Sequence, residues 1–128
     1  MSYFGIGNRT INSTQMGVVA TPTTSTLLAE IDFNSTMAVV RSGGEPYGVT
    51  WIVGSGSGST ITTFLLDQCL STGIGSTAIV DQTVVQVSSG ASAQYYTKHN
   101  MEPGHRLRVR VASTVLAANG KIIAEPLS

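Results

Sequence analysis

The residues with the strongest chemical character sit in one short stretch, Arg106-Leu107-Arg108-Val109-Arg110-Val111, directly after the turn sequence Glu102-Pro103-Gly104-His105. Strict alternation of charged and aliphatic residues has the period of a β-strand. It predicts three guanidinium groups on one face, with Leu107, Val109 and Val111 facing a core. Holding an arginine side chain still costs conformational entropy, so three on one face argue for a target. One target is a set of acids on neighbouring strands, such as Glu125, which would make the stripe a neutralised, solvated face. The other is an acidic or carbonyl-rich surface of another protein, which would make Arg106, Arg108 and Arg110 interface residues. Carbohydrate or nucleic acid are further options, although few aromatics flank the stripe for stacking. Glu30 and Asp32 share a face of an earlier strand. Pairing with the arginine stripe explains them better than a glycosidase carboxylate pair does.

Other chemistries fail on spacing. His99 and His105 bracket the Pro103-Gly104 turn, but no third ligand accompanies them, so they read as surface histidines and no metal site is expected. The single cysteine, Cys69, can form neither an internal disulfide nor a zinc cluster. Its neighbours Leu65, Leu66 and Leu70 predict a buried, unreactive thiol. Serines are abundant, but none sits in a nucleophile-elbow pattern. Gly5-Ile6-Gly7-Asn8-Arg9-Thr10 lacks the third glycine of a dinucleotide loop. Gly54-Ser55-Gly56-Ser57-Gly58-Ser59 lacks the Lys-Ser/Thr pair of a phosphate loop, and reads as the flexible loop of a hairpin. The expectation is a chain with no catalytic residues, cofactor or metal, hence not an enzyme.

Composition points the same way. The chain has 128 residues, enough for one core, and 41% are hydrophobic. Charged residues make up only 11%, against about 25% in an ordinary soluble domain. In their place stand 14 Gly, 15 Ser and 16 Thr. Seven acids balance seven bases, which argues against a general nucleic-acid binder and removes the repulsion that keeps small proteins apart. A homo-oligomer, most simply a trimer, is the resulting expectation. Met1-Ser2-Tyr3-Phe4-Gly5 lacks the basic and apolar regions of a signal peptide, and no run reaches membrane-spanning length. Synthesis in the cytoplasm with no membrane partner is therefore expected.

These residues need a β scaffold. Residues 1–24 read as an extended N-terminal arm. In it Tyr3, Phe4, Ile6 and Ile11 are separated by Gly and Asn, a pattern suited to lying along a neighbouring chain. Residues 25–128 read as the domain. Alternation marks strands at Thr26–Phe33, Tyr47–Val53, Ala78–Val87 and Arg106–Ala112, and shorter runs mark Met37–Arg41, Thr60–Leu66, Ala93–His99 and Lys121–Glu125. Trp51, the only tryptophan, is expected in the core. Tyr95 and Tyr96 fall on opposite faces. Ser113–Asn119 has room for one helical turn, Ser71–Thr77 reads as a loop, and Asn119-Gly120 favours a tight hairpin turn. Short, evenly spaced strands with turn signals between them predict an all-β, single-domain antiparallel β-sandwich, a jelly roll.

The chain's last third carries a resemblance. Tyr95-Tyr96-Thr97-Lys98, Met101 through Val111, and Asn119-Gly120-Lys121-Ile122-Ile123-Ala124-Glu125 resemble small virion proteins of tailed bacteriophages, the jelly-roll decoration (cement) proteins of icosahedral heads. The shared pattern is a tall hairpin after a Pro-Gly turn, closing in a strand that ends Ala-Glu. With the strand Ser25–Asn34 and the Gly/Ser-rich hairpin, the resemblance spans residues 25–126. It implies a capsid-surface protein, often trimeric, that docks on the major capsid protein and braces the shell. Binding only the assembled shell would stabilise it by mass action, and many copies would add up. No catalytic residue is carried over. A carbohydrate-binding β-sandwich, presenting Trp51, Tyr47 or Tyr3 on an exposed face, and a tail or baseplate component are the alternatives.

Overall fold

The computed structural model describes residues 11–12, 14–15, 19–20, 26–33, 44–56, 61–70, 79–112 and 117–127. Every regular element among them is a strand: β1 Ile11–Asn12, β2 Thr14–Gln15, β3 Val19–Ala20, β4 Leu27–Asp32, β5 Glu45–Ser55, β6 Ile61–Leu70, β7 Ile79–Ser88, β8 Ser92–Met101, β9 His105–Val111 and β10 Ala117–Pro126. They form two antiparallel sheets. Sheet A runs β1-β10-β5-β8, with β3 also on β10, and sheet B runs β2-β4-β9-β6-β7. The pairs nest, β3 with β10, β4 with β9, β5 with β8 and β6 with β7, as when one long hairpin is rolled into two layers. That nesting is a jelly roll, and the predicted all-β sandwich is what the chain forms.

Alternation places the core. Tyr47, Val49, Trp51 and Val53 of β5 meet Leu107, Val109 and Val111 of β9, and all are fully buried. Phe64 and Leu66 of β6 and Ile122 and Ala124 of β10 fill the same layer. Phe33 packs edge-on to Tyr47, with ring centroids 5.1 Å apart. A register shift in β4 between Leu27 and Ala29 turns both Leu28 and Ala29 inward.

Glu102-Pro103-Gly104-His105 turns as expected. His105 N donates to the Glu102 carbonyl at 3.0 Å and Gly104 has φ +92°. Proline second and a positive-φ glycine third are the pattern of a type II turn. This turn carries the chain from sheet A to sheet B, so β8 and β9 are not a hairpin. Nor are β9 and β10, which pair in different sheets. The hairpin pattern behind the phage resemblance is therefore not how these residues are arranged. The Gly/Ser connector likewise joins strands of opposite sheets, with Gly54 and Ser55 inside β5, so the expected hairpin loop is corrected to a crossover.

Asn119-Gly120 is not a turn either. Both residues lie within β10, opposite Gly54 and Val53. A side chain at position 120 would meet Val109 Cγ1 at 3.0 Å and Leu28 Cβ at 3.3 Å, so glycine answers to close sheet-on-sheet packing rather than to chain reversal. Ala117–Asn119 are strand, not helix. Residues 113–116, and the predicted strand Met37–Arg41 and loop Ser71–Thr77, lie outside the described residues.

Six residues of the arm are described. Ile11–Asn12 and Val19–Ala20 pair with β10, and Thr14–Gln15 pairs with β4. These segments extend the chain's own two sheets. Tyr3, Phe4 and Ile6 lie outside the described residues.

Candidate functional site

The arginine stripe lies on the outer face of sheet B, but only Arg106 keeps part of its side chain in solvent. Arg108 and Arg110 are 4% and 6% exposed, and Asp67 between them is 0% exposed. Register explains the burial. Arg108 is opposite Glu30 of β4 on one side and Asp67 of β6 on the other. The Nε groups of Arg108 and Arg110 both donate to Asp67 Oδ2, at 3.0 and 2.7 Å, while Gln82 Nε2 donates to Oδ1 at 2.7 Å. Arg106 Nη1 pairs with Glu30 Oε2 at 2.9 Å, and its Nε points at Cys69 Sγ, 3.2 Å away.

The predicted solvated or docking face is thus corrected for Arg108 and Arg110, whose charges are satisfied inside the fold. Glu30 does pair with the stripe, as expected, whereas Glu125 belongs to the other sheet. Cys69 is buried as expected, though its contact with Arg106 was not foreseen.

A second polar group crosses the sandwich between the sheets. Trp51 Nε1 donates to Thr97 Oγ1 at 2.6 Å, and Thr97 Oγ1 lies 2.7 Å from His99 Nε2. His99 Nδ1 is 3.0 Å from Gln68 Oε1, and Gln68 Nε2 reaches the Asn100 carbonyl at 3.0 Å and His105 Nδ1 at 2.9 Å. The donor inventory orders the chain. Gln68 Oε1 only accepts, so His99 carries its proton on Nδ1, its bare Nε2 accepts from the Thr97 hydroxyl, and His105 Nδ1 accepts from the Gln68 amide. Every hydrogen bond then runs one way, from Trp51 to His105.

Burial pushes the His99 imidazole below its ordinary value of 6.5, and Asp81 opposes this. Asp81 Oδ2 stands 3.7 Å from His99 Nδ1. His99 is buried, which corrects its reading as a surface histidine. Gln68 stands between the two rings, so His99 and His105 share an amide rather than a metal. Among the described residues no group of three or more His, Cys, Asp or Glu side chains could hold a metal ion.

The outer face of sheet A offers an open surface. In register across it run Tyr96, Thr50 and Ile123, flanked by the rows Gln94, Ile52, Lys121 and Lys98, Gly48, Glu125. Tyr96 is 57% exposed. Its hydroxyl occupies the space a side chain on Gly48 would take, with Cζ 2.8 Å and Leu127 Cδ2 3.1 Å from that point. The ring therefore leans across β5 over Gly48 instead of standing into water. Gln94, Lys98 and Asn100, its neighbours along β8, are exposed and polar. An aromatic surface with amide and ammonium donors beside it suits a ligand that is apolar on one side and hydroxylated at its rim. Trp51 and Tyr47 are fully buried and contribute nothing to such a surface. Sequence alone separates Tyr95 from Tyr96 by parity, but the glycine beneath Tyr96 depends on register.

No protein-family model matches the sequence, and no curated protein matches it. Solved structures match the fold. The C-terminal family 22 carbohydrate-binding module of Clostridium thermocellum Xyn10B is similar with a TM-score of 0.55 at 12% identity, covering 96% of this chain and 88% of that one. A xylan-binding domain of the same module family gives 0.54 at 12% identity, covering 98% and 89%. The enzymatically active domain of bacteriophage CBA120 tailspike protein 4 reaches 0.43 at 14% identity, covering 98% of this chain and 21% of that one, too low to carry an argument. At these identities the likeness is one of fold: a jelly-roll β-sandwich over nearly the whole chain.

Proposed function

We propose that the chain is a non-catalytic β-sandwich binding module that takes carbohydrate on the outer face of sheet A, with Tyr96 as the ring on which a sugar stacks. The observation that carries this reading is the exposed Tyr96 ring leaning over Gly48, with Gln94, Lys98 and Asn100 beside it. Similarity of fold to carbohydrate-binding modules supports the ligand class. A sugar ring would lay its C–H face on the aromatic and turn its hydroxyls toward the amides and the ammonium group. The site needs no deep pocket, because a flat polymer is read by a flat face.

Affinity electrophoresis in gels containing soluble polysaccharides, xylan among them, tests the proposal. At least one polysaccharide should retard the chain, and Tyr96→Ala should abolish the retardation without altering the fold, since the side chain is exposed. Absence of retardation by every polysaccharide, or equal retardation of Tyr96→Ala, would overturn it.

A second reading, a decoration protein docked on the major capsid protein at a virion surface, rests on the resemblance of the chain's last third to such proteins; the sparse charge, 11% of residues, fits a chain held in an assembly without pointing to a capsid. Co-sedimentation with intact phage heads, set against polysaccharide retardation, separates the two.

A further inference from the structure

The ends of a β-sheet expose unpaired backbone groups, and proteins guard them with short strands, lysine, proline or bulges. Among the described residues, sheet B ends at β2, which is 2 residues long, and at β7, which is 10 residues long. β7 contains no Lys, Arg or Pro, and its one charge, Asp81, lies near its start beside the register shift opposite Gln68 and Cys69. The stretch Gln82–Ser88 is regular and carries none of these guards. On its outer face Val84 is 58% exposed between Gln82 and Gln86, and Ile61 on β6, opposite Ser88, is 52% exposed.

We infer that β7 is a self-association edge, where a second copy adds its own β7 antiparallel across a twofold axis and continues sheet B through both molecules. A twofold centred on Val84 sets Val84 against Val84 of the second copy, Gln82 against Gln86, Thr83 against Val85 and Asp81 against Val87. No like charges meet in this register, the two exposed Val84 side chains meet at the axis, and Gln82 and Gln86 amides face each other on either side of it. The chain's net charge of zero adds no long-range repulsion. Isologous pairing closes at two copies, so it yields a dimer and not a filament. One strand per copy is a small interface, in the class below about 1,200 Å² where weak and transient encounters sit, so the dimer is a weak one. The carbohydrate face lies on sheet A, so the two surfaces are separate and each test stands without the other.

Sedimentation equilibrium of the full chain between about 1 and 100 µM, a range in which weak association is read, tests the inference. The weight-average mass should rise from 13.3 kDa toward twice that value. Val84→Lys and Val84→Glu should each remain monomeric, because each places like charges at the axis. At the dilute end of that range, where little of the parent is dimeric, their urea midpoints should match the parent's, since the position is exposed. An equimolar mixture of the two variants should dimerise again, because the opposed charges then attract. A parent chain monomeric throughout, a closed trimer, variants that still dimerise alone, or a mixture that stays monomeric would each overturn the inference.

Discussion

Replacing Asp67 by alanine should be among the most damaging single changes in the sandwich. The carboxylate is fully buried, and both Arg108 and Arg110 donate to its Oδ2 within 3.0 Å. Removing one member of a buried ion pair costs about 3–5 kcal/mol, because the remaining charge stays out of water. Gln82 also loses its acceptor, adding about 1 kcal/mol. The sum, about 4–6 kcal/mol, is comparable with the whole stability of a small domain, about 5–15 kcal/mol. Asp67→Asn keeps an acceptor oxygen and should cost less. Replacing the cluster together, Asp67→Leu with Arg108→Met and Arg110→Met, removes charge and counter-charge and should recover most of the loss. Urea unfolding followed by fluorescence of the buried Trp51 gives each free energy. A cost of about 1 kcal/mol or less for Asp67→Ala, the value of an exposed pair, would refute the claim that the stripe is an internal ion cluster.

Further outcomes follow from the same geometry. The folded state holds His99 below its ordinary value of 6.5, so below that pH the unfolded chain takes up the proton first. Stability should fall as pH drops from 6.5 toward the depressed folded value, and His99→Gln should flatten that slope in urea titrations. Gly120→Ala should cost about 1–3 kcal/mol in the same assay, because its methyl would press on Val109 and Leu28. Gly104→Ala meets no atom within 4 Å, yet its φ of +92° should still cost about 1–2 kcal/mol, so strain separates from crowding in the two variants. Gly48→Ala would displace the Tyr96 ring and should weaken polysaccharide retardation about tenfold, or ~1.4 kcal/mol, with little loss of fold.

The parts of the fold legible in the sequence are those governed by period-two patterning. Tyr47, Val49, Trp51 and Val53 repeat every second residue and land in the core. Pro103-Gly104 supplies its own turn chemistry and turns. What failed was information held by distant neighbours. Alternation correctly puts Arg106, Arg108 and Arg110 on the face opposite the core. Burial there depends on Asp67 arriving in register from β6, and no local pattern encodes that. His99 looked like a loop histidine because its partners Gln68 and Trp51 are remote in sequence. Asn119-Gly120 has the chemistry of a turn, but tertiary packing claims the glycine for the inner face of β10. Hairpins were expected between consecutive strands, whereas a rolled topology sends β5 and β6, and β9 and β10, to opposite sheets.

The central claim, that the outer face of sheet A binds carbohydrate, is tested most directly by titrating the isotope-labelled chain with soluble oligosaccharides and following backbone amide shifts. The account predicts that shifts cluster on Gln94, Tyr96 and Lys98 of β8 and on Thr50 and Ile52 beside them, and disappear in Tyr96→Ala. Shifts confined to sheet B around Arg106 and Ile61, or no shift with any oligosaccharide, would contradict it.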